Sequence, residues 1–457
     1  MTLPRVTIAG TGSGSGKTTV AMGVISALTA RGLSVQPYKA GADRVDPGYH
    51  TAASGRPCRN LDTMLLPRDR LLELFSRSAP REGISVIEGV MGLFDGAGPR
   101  DERGSTAHLA KVLAAPVILA ADGRGMGRSA AALVAGFSRF DAWVSVRGVI
   151  FTNIGGERHF RLLKEAVERD TGVPVLGCLP RRESLVLPGR RMGLVPADLN
   201  PRTSDLTDSL GRLAEEWIDL EAVVTLARSA PPLPDFEPSL FTSPAAGRAI
   251  IAVARDEAFC FCRQDSLDIL EHLGAEIRCF SPLKDSALPE GAGGVYVEGD
   301  FPDEFASLLA ANEPLKKTVR ESADRGMPIL AGAGGLVWLA ERFVDREGKV
   351  HPMGGVLPGT VKTADTLTLG YRDGRLDRDA LPGCRGMKLR GRLFHYLDYD
   401  PEGEESIFSL TLTKNGTLSR DGPAMKNVFA SFLGLHLGTD PEPAARLIKT
   451  AALYGKK

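Results

Sequence analysis

The first segment whose residues could do chemistry is a glycine-rich run near the N terminus. It reads VTIAGTGSGSGKTTVAMGV, with a strand-like stretch before the glycines and a helical pattern after them. Backbone N–H groups of such a loop can face a phosphate, Lys17 can neutralise the terminal phosphates, and Thr18 can hold Mg²⁺. The spacing departs from the common GxxxxGK[ST] motif, because Thr11 stands five residues before Gly16. The segment predicts an ATP and Mg²⁺ site with the cofactor-binding residues Gly12, Gly14, Ser15, Gly16, Lys17, Thr18 and Thr19.

Acidic and basic residues follow two further strand patterns. VIEGVMGLFDG places Glu88 at the end of a buried strand, where open α/β sheets bind their ligands, and its carboxylate could hold Mg²⁺ directly or through water. YKAGADRVDPGYH follows another strand and gathers Lys39, Asp43, Asp46 and His50 within twelve residues. Charged loop residues are usually only solvated, but their shared position at a strand end favours a functional interpretation.

The pattern around these motifs indicates an α/β fold. Strand-like runs alternate with amphipathic helical segments, which predicts a doubly wound, mostly parallel sheet covered on both faces over residues 1–227. The stretch 228–247 is rich in proline and is interpreted as a linker. A second alternating series predicts another α/β domain over 248–457. In the first domain FTNIGGERH ends a strand at Asn153, whose amide could read an adenine edge.

Composition excludes several classes of function. Lys plus Arg and Asp plus Glu number 56 each, so no overall field would attract nucleic acid or an anionic membrane. No apolar run reaches the roughly 20 residues of a membrane helix, and the first residues lack a signal-peptide pattern, which predicts a cytoplasmic protein without a membrane partner. Six cysteines without a CxxC pair favour reduced thiols, although Cys260 and Cys262 could also bind a metal.

The ordered motifs resemble the cobyrinic acid a,c-diamide synthase family along nearly the whole chain. They are GTGSGSGKTT, YKAGADRVDPGYH, NLDTMLLP, VIEGVMGLFDG, STAHLAKVLAAPVILAAD, TNIGGERH, VPVLGCLPR and AVARDEAFCF. The resemblance implies a domain similar to dethiobiotin synthetase followed by a class I glutamine amidotransferase-like domain. It also implies a reaction in which ATP phosphorylates the a- and c-acetate carboxylates of a tetrapyrrole, and ammonia then displaces phosphate to leave amides.

The resemblance assigns roles to the residues found above. The residues that would handle phosphates and metal are Lys17, Thr18, Asp43 and Glu88. Those that would face the substrate carboxylate are Lys39, Asp46 and His50. A carboxylate is a poor electrophile, so such a site must hold it against the γ-phosphate and neutralise charge.

The second domain departs from the family at its glutaminase site. Within PILAGAGGLVWLA, a strand, a turn of small residues and a helix form a nucleophile-elbow pattern, but Ala333 stands where relatives have a cysteine. Gly434 stands where the catalytic histidine aligns, and His436 is retained. Glu298 and Asp300 are expected to place negative charge where an oxyanion would form. These departures predict that glutaminase activity is absent.

Several alternatives remain open at this level. The ammonia could come from solution or from a partner glutaminase, and the chain could be a monomer or a homodimer. Arg44 could pair with an extra carboxylate of a sirohaem-type tetrapyrrole, or it could be a surface arginine. The protein could also be a non-catalytic ATP- and tetrapyrrole-binding scaffold. A P-loop switch ATPase is less favoured, because position 12 is glycine rather than the additional lysine typical of such proteins.

Overall fold

The computed structural model describes residues 2–182, 185, 187–190, 193–242, 245–299, 302–403, 408–414 and 417–455. The chain forms two compact units, Met1–Pro238 and Ser239–Lys457. The division falls inside the stretch 228–247 that the sequence predicts to be a linker. In the part of the chain that the structure describes, no helix combines the length and apolar character needed to cross a membrane.

The first unit alternates strands and helices. Its strands are β1 (Arg5–Gly10), β2 (Ser34–Ala40), β3 (Arg59–Leu61), β4 (Gly83–Glu88), β5 (Val117–Asp122), β6 (Val146–Ile154), β7 (Val175–Pro180), β8 (Gly189–Arg190) and β9 (Gly193–Leu194). Its helices are α1 (Lys17–Ala30), α2 (Asp46–Ser54), α3 (Arg68–Ser78), α4 (Thr106–Val112), α5 (Ser129–Arg139), α6 (Glu157–Thr171), α7 (Thr203–Trp217) and α8 (Leu220–Arg228), with a 3₁₀ turn over Ala197–Leu199.

The main sheet of this unit is parallel and has the strand order β3-β2-β4-β1-β5-β6-β7. Side chains of β1 alternate between two cores. Val6 and Ile8 pack with residues of α1, α7 and α8, whereas Ala9 packs with residues of α4, α5 and α6. Both faces are therefore covered, and the predicted doubly wound α/β class is confirmed. The carboxyl ends of β2, β4 and β1, three adjacent strands, meet at one edge of the sheet.

The second unit has five helices among the described residues and a larger, mixed sheet. Its strands are β10 (Ala249–Ala254), β11 (Ala275–Phe280), β12 (Ala292–Val297), β13 (Ile329–Gly332), β14 (Ala340–Val344), β15 (Val350–Pro352), β16 (Leu357–Leu376), β17 (Lys388–Asp400), β18 (Phe408–Lys414), β19 (Thr417–Met425), β20 (Val428–Ser431) and β21 (Gly434–Leu435). Its helices are α9 (Gln264–His272), α10 (Ala306–Ala311), α11 (Glu313–Asp324), α12 (Gly334–Leu339) and α13 (Glu442–Tyr454).

The sheet of the second unit combines two kinds of pairing. Strands β11, β10, β12, β13 and β20 lie side by side and are parallel. Beyond β20 the sheet continues through β19, β18 and β16 in antiparallel pairs, and β17 pairs with both β16 and β21. The parallel part matches the predicted α/β pattern. It also places the carboxyl end of β13 beside that of β20.

Candidate functional site

The glycine-rich loop connects β1 to α1 and is fixed by its neighbours. Gly14 and Gly16 have φ values of 78° and 85°, in the left-handed region that favours glycine. A Cβ atom on Gly16 would also lie 2.7 Å from a methyl carbon of Thr152, at the end of β6. The Thr152 hydroxyl donates to the Ser15 carbonyl over 2.9 Å. Residues at the end of β6 therefore hold the loop in place, a role for Thr152 that the sequence analysis missed.

A cavity of about 350 Å³ opens beside this loop. Its lining includes the predicted residues Gly14, Gly16, Lys17, Thr18, Thr19 and Asn153, together with Thr152 and the segment that follows β7. Gly12 and Ser15 belong to the same loop but lie outside this lining. The Asn153 side chain is hydrogen-bonded to Asp122. The glycine-rich loop and Asn153, both predicted to bind the nucleotide, thus line one and the same pocket.

Lys17 is folded back along its own loop. Its Nζ donates to the Gly12 carbonyl over 2.9 Å, and the residue is only 7% exposed. Burial lowers the pKa of Lys17, because an ammonium group loses hydration there. The ammonium has a neutral carbonyl as its hydrogen-bond partner, so a phosphate oxygen would be a better one.

Beside the cavity, a buried ammonium bridges two carboxylates. Lys39 Nζ lies 2.5 Å from Asp46 Oδ2 and 2.8 Å from Glu88 Oε1, and it donates to the Gly89 carbonyl over 3.2 Å. Thr18 Oγ1 donates to Glu88 Oε1 over 2.6 Å and lies 3.5 Å from Asp46 Oδ2. The structure therefore brings together Lys39, Asp46, Glu88 and Thr18, which the sequence placed on three separate segments.

Burial and charge pairing oppose each other in this cluster. Burial alone would lower the pKa of Lys39, but attraction to Glu88 and Asp46 outweighs it and raises that pKa. Burial alone would raise the pKa of Glu88, yet Lys39 and His50 lower it. Burial raises the pKa of Asp46 to about 6, against the opposing effect of Lys39. The ammonium and the Glu88 carboxylate are therefore both charged at neutral pH.

Asp43 and His50 each have a hydrogen-bond partner within this part of the protein. Asp43 Oδ1 accepts hydrogen bonds from the N–H groups of Val45, at 2.9 Å, and Asp46, at 3.2 Å, where α2 begins. Besides Glu88, the carboxylate that lies near Thr18 is that of Asp46, the residue assigned to the substrate. His50 is fully buried, and its Nε2 contacts Oε2 of Glu88, the oxygen that neither Lys39 nor Thr18 uses.

The donor set beside Thr18 suits Mg²⁺ in its chemistry. Carboxylate and hydroxyl oxygens are the hard ligands that this ion prefers. Among the described residues, however, no three His, Cys, Asp or Glu side chains form a group that could hold a metal. Two carboxylates and Thr18 are available here, and Lys39 stands between the carboxylates.

Arg44 belongs to the same segment as Asp43 and Asp46. It is only 9% exposed, which rules out the interpretation of a surface arginine.

In the second unit, the elbow predicted at Ala333 is present. Ala333 joins β13 to α12 with φ 49° and ψ −112°, which is a strained conformation for a residue with a Cβ atom. The N–H of Gly334, the next residue, donates to the Gly299 carbonyl over 2.8 Å. A Cβ atom at Gly334 would lie 2.6 Å from Pro302. The turn keeps the shape of a nucleophile elbow, but the Gly334 N–H already donates to a carbonyl and is not free for an oxyanion.

A buried ion pair lies near this elbow. Glu298 Oε1 contacts Arg263 Nη1, and Glu298 Oε2 accepts from the Tyr296 hydroxyl over 3.0 Å. Arg263 also donates to the Leu435 carbonyl over 3.3 Å, and both charged residues are 3% exposed. Glu298 was expected to oppose an oxyanion by its charge, but Arg263 lies against it and offsets that charge. Asp300 lies outside the described residues.

Gly434 and His436 lie in and just after β21. Gly434 pairs with Arg392 of β17. His436 is 2% exposed, and its Nδ1 accepts from the Gly438 N–H over 3.0 Å. Burial, with a smaller effect of the nearby Arg263, lowers the pKa of His436 to about 3. The retained histidine is therefore uncharged at neutral pH.

Removing one member of the buried ion pair should be costly. With Glu298→Leu, Arg263 stays buried without its Glu298 partner, and we expect the free energy of unfolding to fall by about 3–5 kcal/mol. Glu298→Leu combined with Arg263→Met should recover most of that loss, because apolar side chains of similar volume can replace such a pair. Denaturant unfolding of the full chain measures both changes. Equal stability of the single and double variants would contradict this account.

A surface ion pair in the same unit serves as the control. Arg446 and Glu442 lie one turn apart on α13, 2.7 Å from each other, with side chains that are 31% and 50% exposed. Glu442→Ala should change the free energy of unfolding by less than about 1 kcal/mol. A change as large as that of Glu298→Leu would show that charge removal in general, rather than burial, causes the effect.

Comparisons with known proteins agree across both units. Residues 6–195 match the CobQ/CobB/MinD/ParA nucleotide binding domain, and residues 250–442 match the CobB/CobQ-like glutamine amidotransferase domain. The chain is 39% identical over 455 residues to the cobyrinate a,c-diamide synthase of Dehalococcoides mccartyi strain CBDB1, with 98% of each protein covered. It is 39% identical to that of Methanosarcina acetivorans, covering 99% of this chain and 96% of the relative. It is also 39% identical to the hydrogenobyrinate a,c-diamide synthase of Streptomyces coelicolor, covering 98% and 97%.

Proposed function

The chain belongs to the cobyrinate a,c-diamide synthase family, and on this basis we propose that it is an ATP-dependent ligase that converts the a- and c-acetate carboxylates of a tetrapyrrole into amides. The observation that carries the proposal is the position of the Lys39–Asp46–Glu88 cluster. Thr18 lines the nucleotide cavity and also donates to Glu88, so the phosphate pocket and the charged cluster are contiguous.

The proposed reaction has two steps. A substrate carboxylate oxygen attacks the γ-phosphorus of ATP, so ADP leaves and an acyl phosphate forms. Ammonia then attacks the acyl carbon, phosphate leaves, and the nitrogen loses a proton to give the amide. Lys17 neutralises charge on the phosphates, and Lys39 is available to the carboxylate that reacts. Mg²⁺, held by Thr18, Asp46 and Glu88, would supply further neutralisation of phosphate charge.

The nitrogen source in this proposal is ammonia from solution or from a partner glutaminase. The second unit lacks a thiol at Ala333 and an imidazole at Gly434, and its Gly334 N–H is engaged by Gly299. This unit would then serve in packing or docking rather than in glutamine hydrolysis.

The test is an amidation assay with the full-length protein. Cobyrinate, hydrogenobyrinate and a sirohaem-type tetrapyrrole are each incubated with ATP and Mg²⁺, with either ammonium or glutamine, and the amides are counted by mass spectrometry. We expect amide, ADP and phosphate with ammonium for at least one macrocycle, and no amide with glutamine alone. Omitting ATP is the control. ATP binding without amide formation on any macrocycle would reject the ligase and favour the scaffold.

A further inference from the structure

Lys39 and Thr18 use the same two carboxylate oxygen atoms. Lys39 Nζ lies 2.5 Å from Asp46 Oδ2 and 2.8 Å from Glu88 Oε1, and Thr18 Oγ1 lies 3.5 and 2.6 Å from these same atoms. The ammonium thus stands against the oxygen atoms that a metal held beside Thr18 would need. Lys39 is 3% exposed, so water does not separate it from its partners.

A divalent metal and this ammonium cannot both use these oxygens fully. Mg²⁺ binds oxygen ligands at about 2.0–2.1 Å and demands near-octahedral geometry, which leaves little room for a second cation on the same lone pairs. Repulsion between neighbouring cations is also stronger in a buried site than in water. We propose that the Lys39 ammonium occupies the cation position of the nucleotide-free protein, and that a divalent metal binds by displacing it from Asp46 and Glu88.

This inference rests on the proposed Mg-ATP site, and it makes Lys39 the link between metal and anion. Once displaced, the ammonium needs a new partner, and an anionic oxygen of the nucleotide or of the substrate carboxylate would supply one. Metal binding is therefore weak while no anion is present. Nucleotide and metal each raise the affinity for the other, as thermodynamic linkage requires.

The direct test measures metal binding without nucleotide or tetrapyrrole. Mn²⁺ is titrated into the full chain and the free ion is followed by electron paramagnetic resonance. Lys39→Met removes the competing ammonium and should tighten Mn²⁺ binding at least about tenfold. Lys111→Met is the matched control, because Lys111 is a lysine of the same unit whose Nζ pairs with Glu102 and Asp141 instead of Asp46 and Glu88. It should change the affinity by less than about threefold.

Two further variants separate the possible causes of a change in Mn²⁺ affinity. Lys39→Gln keeps N–H donors beside the carboxylates without the charge. It should also tighten Mn²⁺ binding, and it replaces Lys39→Met if that variant proves unstable. Adding Glu88→Gln to Lys39→Met should remove the gain in Mn²⁺ affinity, and that loss would place the ion at this site. Unchanged or weaker Mn²⁺ binding in both Lys39 variants would overturn the inference, and so would an equal gain with Lys111→Met. Because no ATP or macrocycle is used, these outcomes are independent of whether the protein amidates a tetrapyrrole.

Discussion

Glutamine should remain unhydrolysed by this protein, with or without ATP and a tetrapyrrole. Hydrolysis requires a thiolate that attacks the side-chain amide, a histidine that activates the thiol, and N–H groups free to receive the oxyanion. If the resemblance aligns the two sites as expected, Ala333 removes the first and Gly434 the second, and the Gly334 N–H is bonded to the Gly299 carbonyl. Loss of the nucleophile alone costs about 10⁶-fold in a serine protease, and we expect a loss on that scale here.

The measurement is glutamate release from glutamine, made beside ammonium-supported amidation in the same preparation. Ammonium-dependent amide without glutamate would show an active ligase that lacks its own glutaminase. Ala333→Cys should not restore release, because the new thiol would still lack a base at position 434 and would lie near the Arg263–Glu298 pair. Glutamate formed by the unaltered protein as fast as amide would refute this expectation.

Lys17→Ala should lower the affinity for Mg-ATP by about 10²-fold or more. A hydrogen bond between an ammonium and a phosphate is worth about 1.5–3 kcal/mol, and one lysine can make two of them. Lys17 is buried in the wall of the nucleotide cavity and has only a carbonyl partner there, so its hydration has already been lost in the free protein. Calorimetric titration of the full chain with Mg-ATP measures the change.

Lys111→Ala is the matched control for this experiment. Lys111 belongs to the same unit, but its Nζ contacts Glu102 and Asp141, at 2.5 and 2.9 Å, and it is not among the residues that line the nucleotide cavity. Its removal should leave the affinity for Mg-ATP within about twofold of the original. Equal affinities of the unaltered protein and Lys17→Ala would mean that phosphates bind elsewhere.

The sequence predicts the first unit well because its signals are local. Strands β1 and β4 are short and mostly apolar, and the glycine-rich loop lies between a strand and a helix in one continuous segment. Glu88 was expected at a strand end, and it is the last residue of β4. The carboxyl ends of parallel strands lie at the same edge of a sheet, so the fold class alone was enough to predict that Glu88 lies near the loop.

Contacts that depend on tertiary structure were harder to predict. Asp43 and Asp46 are both acidic and three residues apart, and nothing local decides which one caps α2 and which one turns towards Lys39. Arg263 and Glu298 are 35 residues apart and show no shared pattern. Strands β16 and β17 are 20 and 13 residues long, yet polar and glycine residues interrupt them, so their apolar periodicity is weak.

The Arg263–Glu298 pair also bears on how this lineage could evolve. Substitutions arise one at a time, and either one alone would leave a buried charge without its partner in this pair, at a stability cost comparable to the whole margin of many domains. A chain with cysteine at 333 and histidine at 434 would still have this pair near the elbow. The pair can be replaced without that cost only by two coordinated substitutions, so this part of the second unit resists change one residue at a time.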